Sequence, residues 1–428
     1  MKSFSLLSCC AGCFLIFAVS CTSADDENTL TWITGSDSSP DAPDEEMSSY
    51  VQQNINAIES DYGFTMQHSI HTSNIDEAMA RLQEQATRGQ APDFALIDGY
   101  AIERFEEHLQ PLNELMDEHG MDLNDFLPFA QDVMVGEDGN VYGLYLSTDI
   151  RYVFYDTRFV PEPPKTWDEA MEISLDLVDQ GYEGLVLPLG IGEGTAVTSL
   201  WPLFWGQGGE LIDENGQPSF YNEDNKEHML NVFNGIHKGV QTGAISKRMA
   251  TNGEENDGNA EISTGLVKML YPGSWQINTF QDILGDDFQY WDVASLPMLE
   301  GGEQTSSVGG WAFGIFTEDP DKQQAAFDFL QRTYVGAEGM ARFTTRDGSM
   351  PVRSSVYDSP EFEPIPFIDE FLDILEKEGQ PRPPDQIYNT VSVQLQTAIS
   401  QVVSGSKTPE QALEDAWEIA TFGMEDDE

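Results

Sequence analysis

Carboxylates dominate the side chains that could do chemistry: 75 Asp and Glu stand against 20 Lys and Arg in 428 residues. Two carboxylates flanking one bond can serve as acid and base, as in glycoside hydrolysis. With so many acids some pair always looks suitable, and the sequence singles out none. The histidines His68, His71, His108, His119, His228 and His237 form no HExxH motif. His68 and His71 lie in a β-like run at a spacing that points them to opposite faces. All of the cysteines (Cys9, Cys10, Cys13 and Cys21) fall at or before position 21, so none can act as nucleophile or metal ligand in the body of the chain. Gly192 and Gly194 begin a phosphate-loop spacing that is not completed, no GK[ST] follows, and the local charge is negative. The expectation is therefore no catalytic residue, no metal and no cofactor. Tryptophan faces pack on apolar C–H surfaces, while carboxylates, amides and arginines satisfy hydroxyls.

Two stretches would position such groups. In Gly139–Ala170, a β-prone run from Val141 to Leu146 meets a polar joint, Ser147-Thr148-Asp149. A second β-like run follows from Ile150 to Asp156, then Pro161-Glu162-Pro163-Pro164 and a capping box at Thr166–Glu169. Two extended runs meeting at a polar joint read as one strand passing from one lobe into another, with Asp149 at the crossing. In Val267–Trp275 a strand stops at Pro272-Gly273 and presents Trp275 on the helix that follows.

Upstream, Leu30–Thr34, Phe64–Ile70 and Pro92–Asp98 read as strands. Between them lie helical faces at Met47, Val51, Ile55 and Ile58, then at Ile75, Met79, Leu82 and Ala86, the second capped by Asn74 and Glu77. This β-α-β-α-β order predicts a parallel sheet covered by helices, with ligand beyond the carboxyl ends of the strands. Ser36–Ser39, Thr72-Ser73 and Asp98-Gly99-Tyr100 then face the cleft. Downstream, Leu185–Leu189 reads as a strand, Gly190–Ser199 as a loop and Glu254–Asp257 as an acidic, mobile loop. Trp291–Met298 reads as a return crossing.

A chain of 428 residues predicts two domains. The formal charge of −55 describes a solvated acidic shell of the halophilic kind and excludes nucleic acid as a partner. Residues 1–20 carry Lys2 and an apolar stretch through Val19, too short to span a bilayer comfortably, which predicts a signal peptide. Ala18-Val19-Ser20-Cys21 resembles a bacterial lipobox; cleavage there leaves Cys21 as the lone cysteine, a lipid site followed by a tether over 21–28.

The order of motifs (a PD strand, the YG crossing, P-x-TWDE, Gly273-Ser274-Trp275, the Leu296-Pro297 crossing, Gly309-Gly310-Trp311 and Thr408–Leu413) resembles extracellular solute-binding proteins of sugar-type ABC importers, the maltose-binding-like branch. The resemblance implies an α/β, two-lobe, type II periplasmic-binding-protein-like fold, each lobe a mainly parallel sheet flanked by helices, with the ligand cleft between. Lobe 1 would comprise 29–148 plus 294–347, and lobe 2 149–293 plus 348–428. It implies capture of a sugar or oligosaccharide by an exported, lipid-anchored monomer, and delivery to permease subunits driven by a cytoplasmic ATPase. Carried over by motif, Trp275 stacks on a sugar face and Asp149 accepts hydroxyls. Trp311, Gly310, Asp98, Tyr100, Ser36, Arg346, Tyr388 and Trp201 complete the expected cleft, whereas Trp32 and Trp417 pack in cores. Arg346 gains weight because arginine is scarce and a buried guanidinium needs acidic partners. Three other readings stay open: an osmolyte such as a betaine in an aromatic cage, a receptor that signals without transport, and a carbohydrate-active enzyme.

Overall fold

The computed structural model describes residues 28–72, 74–136 and 138–422. The expected signal peptide, Cys21 and nearly all of the tether lie outside the described residues, as does Ser73. In chain order the first half contains β1 (Thr29–Thr34), α1 (Glu45–Tyr62), β2 (Thr65–Ile70), α2 (Ile75–Thr87), β3 (Phe94–Asp98), α3 (Ile102–Phe105), α4 (Asn113–Glu118), α5 (Pro128–Met134), β4 (Leu144–Asp149) and β5 (Val153–Asp156). Next come α6 (Trp167–Asp179), α7 (Trp201–Trp205), α8 (Lys226–Thr242), α9 (Asp257–Ile262), β6 (Met269–Leu270), α10 (Ile277–Leu284), β7 (Trp291–Ala294) and β8 (Ser306–Ile315). The chain continues through α11 (Pro320–Leu330), α12 (Ala337–Asp347), α13 (Ile368–Glu378), β9 (Gly379–Pro381), α14 (Tyr388–Ser404) and α15 (Pro409–Ala420).

Local chemistry explains the boundaries. The Asp44 side chain accepts from the Met47 amide to start α1, which buries Met47, Val51, Ile55 and Ile58 and stops at Gly63 with φ 78°. Asn74 caps α2 through the Glu77 amide, the expected capping box forms between Thr166 and Glu169, and a second one starts α15 with Thr408 and Gln411. Trp32 is buried and stacks on Phe94 at 5.5 Å, as a core residue does.

Two sheets result. One has the order β2-β1-β3-β8-β4 with β9 added to β8, and the other is β6-β5-β7. The chain leaves the first sheet at Asp149 and enters the second at Val153, so the expected crossing is present. The first sheet is mainly parallel, as expected, apart from the two antiparallel pairings that β8 makes with β3 and β4. The second sheet departs from that expectation. β1 is parallel to β2 and β3, but β8 is antiparallel to β3 and β4, and β5 is antiparallel to β6 and β7. The reason is direction of entry. β1, β3 and β4 run toward the crossing, whereas β8 comes back from it and must run the other way.

Three further expectations change. Leu185–Leu189 is not a strand; it contributes one parallel bridge, Val186 to Leu270. Within Gly190–Ser199, read as loop, the chain from Thr195 onward winds as a wide helical turn, Thr195–Leu200, that continues into α7. Residues 379–381, assigned to the second lobe, pair with Ser306–Val308 in the first sheet.

Candidate functional site

The first cluster sits at the crossing. Asp149 ends β4 opposite Gly309 of β8. A Cβ on Gly309 would come 2.6 Å from Asp149 Oδ1 and 3.1 Å from Arg151 Nη1, so glycine makes room for an ion pair there. Arg151 donates from Nη1 to Asp149 and from Nε to Glu255 Oε1 at 3.0 Å. Thr198 Oγ1 donates to the same Glu255 oxygen at 2.8 Å. The Arg151 guanidinium lies 5.0 Å from the centroid of the Trp275 ring, within cation–π range. Trp275 is half-buried, and its Nε1 donates to Asn256 Oδ1 at 3.3 Å. Burial pushes the Asp149 carboxyl above its ordinary value against the pull of Arg151.

The second cluster joins the end of β3 to the second half of the chain. Arg382 Nη2 donates to Asp98 Oδ1 at 2.5 Å, and Nη1 donates to Glu193 Oε1 at 3.4 Å. Glu193 also accepts from Tyr388 at 2.5 Å, Ser392 at 2.6 Å and Gln396 at 3.1 Å. Trp201 Nε1 donates to the Tyr388 hydroxyl at 2.9 Å. The Tyr100 ring centroid lies 4.1 Å from the Arg382 guanidinium. The side chains of Asp98, Glu193 and Arg382 are only 4%, 3% and 5% exposed. Charges so buried persist when their lone pairs and protons are matched, as they are here.

The expected site residues distribute unevenly over this geometry. Asp149 and Trp275 meet through Arg151, while Asp98, Tyr100 and Tyr388 meet through Arg382. Trp311 is half-buried opposite Asp98 in the β3–β8 register, 6.5 Å from the His71 ring. Gly310 holds φ 138° with its missing Cβ aimed at the Ser147 carbonyl, so only glycine fits. Ser36 is exposed in the β1–α1 loop and donates to Asp37 at 3.1 Å. Trp201 is fully buried behind Tyr388. Arg346 joins neither cluster; it is exposed at the end of α12 and pairs with Glu46. The buried guanidinium groups with acidic partners are instead those of Arg151 and Arg382. Next to Arg346, the Asp347 carboxyl is pushed up to about 6, by burial first and then by the carboxylates of Asp37 and Asp149.

Sequence reasoning missed Arg151, Glu193, Glu255 and Arg382. Glu255 lies in the segment read as a mobile loop, yet it is 7% exposed and tied to Arg151 and Thr198. Arginine scarcity was the usable signal, and applied to every arginine it would have included Arg151 beside the crossing. Among the described residues no His, Cys, Asp and Glu group is arranged to hold a metal ion.

Known proteins share this fold. A probable amino-acid ABC transporter periplasmic-binding protein of Sinorhizobium fredii is 28% identical over 255 residues, covering 59% of this chain and 55% of its own length. A maltotriose-binding protein of Pyrococcus abyssi is 25% identical over 287 residues, covering 65% of this chain and 59% of its own length. These alignments thus span less than two thirds of either relative. The maltose-bound T. maritima MalE3 structure superposes with a TM-score of 0.76 at 19% identity, covering 92% of this chain and 99% of that one, which shows the fold. Among the described residues no helix is long and apolar enough to cross a membrane. The family described as bacterial extracellular solute-binding protein matches residues 53–366, most of the chain, and the protein belongs to that family.

Proposed function

We propose that the protein captures a sugar or oligosaccharide between two lobes and delivers it to the permease of an ABC importer. One lobe is built on the six-stranded sheet, mainly from 29–148 and 294–347, and the other on the three-stranded sheet, mainly from 149–293 and 348–428. The observation that carries the reading is the cluster at the crossing, where Asp149, Arg151 and Glu255 gather beside a half-buried indole. Carboxylates that accept hydroxyls beside an aromatic ring form the combination a sugar needs. The binding roles of Trp275, Asp149, Trp311, Asp98 and Tyr100 belong to this proposal. So does closure by hinge motion about the β4–β5 crossing, with Arg382 bridging the lobes in the closed form.

A panel of malto-, arabino- and chito-oligosaccharides, with glycine betaine and amino acids alongside, tests the ligand class by thermal shift and calorimetry. At least one glycan series should raise the melting temperature. A response to betaine or amino acids alone would overturn the sugar reading. We also propose export and lipid attachment at Cys21. Cys21→Ala should release the protein from the membrane fraction, and unchanged membrane association would refute the anchor.

A further inference from the structure

We propose that the sugar captured at the crossing carries a free amine, so that the ligand class is a glucosamine-type amino sugar whose ammonium group pairs with Asp347. The inference rests on the sugar reading above. Arg151 is shared by Asp149 and Glu255, and Arg382 by Asp98 and Glu193, so each buried guanidinium already faces two carboxylates. Asp347 is left over. Among the described residues no cation pairs with it, and Arg346, its neighbour in sequence, turns to Glu46. A carboxylate withdrawn from water without a counter-charge is costly unless something brings the charge to it.

The chain around Asp347 runs between the two halves of the candidate site. Asp347 is the last residue of α12, and the C-terminal end of a helix favours a cation. Three residues on, Met350 exchanges backbone hydrogen bonds of 2.9 and 3.1 Å with Thr148, the neighbour of Asp149. Gly348 turns with φ 82°, and a Cβ there would come 3.0 Å from the Trp275 carbonyl oxygen. The charged groups that face the Asp347 carboxyl are Asp37, from the β1–α1 loop, and Asp149, both negative. Asp347 is only half-buried, so a ligand can reach it. Beside it, Ser349 is 4% exposed and its Oγ has no hydrogen-bond partner of good geometry among the described residues. Buried hydroxyls are normally matched, and an ammonium group offers three donors, enough for Asp347 and Ser349 together. Amino acids and uronic acids fit less well, because their carboxylates need a cation and both guanidinium groups are already matched.

Calorimetry on wild type and Asp347→Asn tests the pairing, with glucosamine oligomers, their N-acetylated counterparts, malto-oligosaccharides of equal length, and spermidine. Acetylation removes the charge and keeps the ring, so the first two series isolate the amine. At pH ~7 wild type should bind the glucosamine oligomers about tenfold or more tightly than the acetylated ones. Asp347→Asn should lose that preference; thermal melts confirm that it is folded, as expected for a change that removes an unmatched acid. In wild type the preference should also shrink as pH falls through about 6, where the Asp347 carboxyl takes up a proton. Equal or weaker binding of the glucosamine oligomers by wild type, or a preference that survives Asp347→Asn or stays constant from pH ~7 to ~5, would overturn the pairing and leave the sugar reading standing. No binding of any glycan by wild type, whether or not spermidine binds, would overturn both.

Discussion

Arg151 carries more of the candidate site than either residue it joins. It fixes Asp149 and Glu255 and covers the Trp275 ring, so the site holds a matched charge set rather than a bare acid beside an indole. Losing a stacked aromatic costs about 0.5–1.5 kcal/mol beyond lost area, and losing a charged hydrogen-bond acceptor about 1.5–3 kcal/mol. Trp275→Ala and Asp149→Asn should each weaken sugar binding by about tenfold or more, at ~1.4 kcal/mol per decade. Calorimetry on the folded variants checks this, with Trp417→Ala as the control; that indole packs on Phe220 at 5.2 Å near the C-terminus. Trp417→Ala should lower stability and leave affinity alone, and the reverse pattern would misplace the cleft. Asp347 gives a pH dependence. Burial lifts its carboxyl from 3.8 to about 6, so between those values the folded protein keeps a proton that the unfolded chain has released. Its contribution is fully present below about pH 4 and is lost as pH rises through about 6. Asp347→Asn should therefore melt above wild type at neutral pH, by up to roughly 3 kcal/mol, and converge with it near pH ~4. Parallel melting curves for the two proteins from pH ~4 to ~7 would exclude this role.

Elements differ in how much they owe to local chemistry. α15 is set by Thr408, whose hydroxyl accepts from the Gln411 amide while the Gln411 side chain returns to the Thr408 N–H. Thr408→Ala should cost about 1 kcal/mol of stability by denaturant titration and leave ligand affinity unchanged. A loss of affinity in that variant would show that α15 reports to the cleft. β8 is the opposite case. It runs beside β3, β4 and β9 at once, and its Gly309-Gly310 pair exists to let Asp149, Arg151 and the Ser147 carbonyl approach. Nothing within its ten residues announces those neighbours.

The molecule as a whole carries a formal charge of −55, and self-repulsion of that size opposes compaction. The pairs at the two clusters are sheltered, but many of the acids stand in solvent and feel added salt. Raising ionic strength from 0.1 M to 1 M shortens the screening length from about 10 Å to about 3 Å. The melting temperature should climb steeply across that range in NaCl or KCl. A flat curve would count against a halophilic design and imply that charge spacing already limits the repulsion.

Sequence alone determined whatever depends on near neighbours along the chain. The buried face of α1, the caps at Asn74, Thr166 and Thr408, and the polar joint ending at Asp149 are all spacing effects within a few residues. The family order of motifs was legible for the same reason, since each motif is local. Tertiary structure alone decided the sense of β8, set by which end of the sheet the chain re-enters, and the charge partners of the site. Arg382 lies 284 residues from Asp98 and 189 from Glu193. A guanidinium finds its carboxylates by burial and geometry, and in a chain with 75 acids no spacing rule identifies which ones. Glu255 and Glu193 look like solvated acids along the chain; folding turns them into buried ones, because only there can Arg151 and Arg382 match their charge.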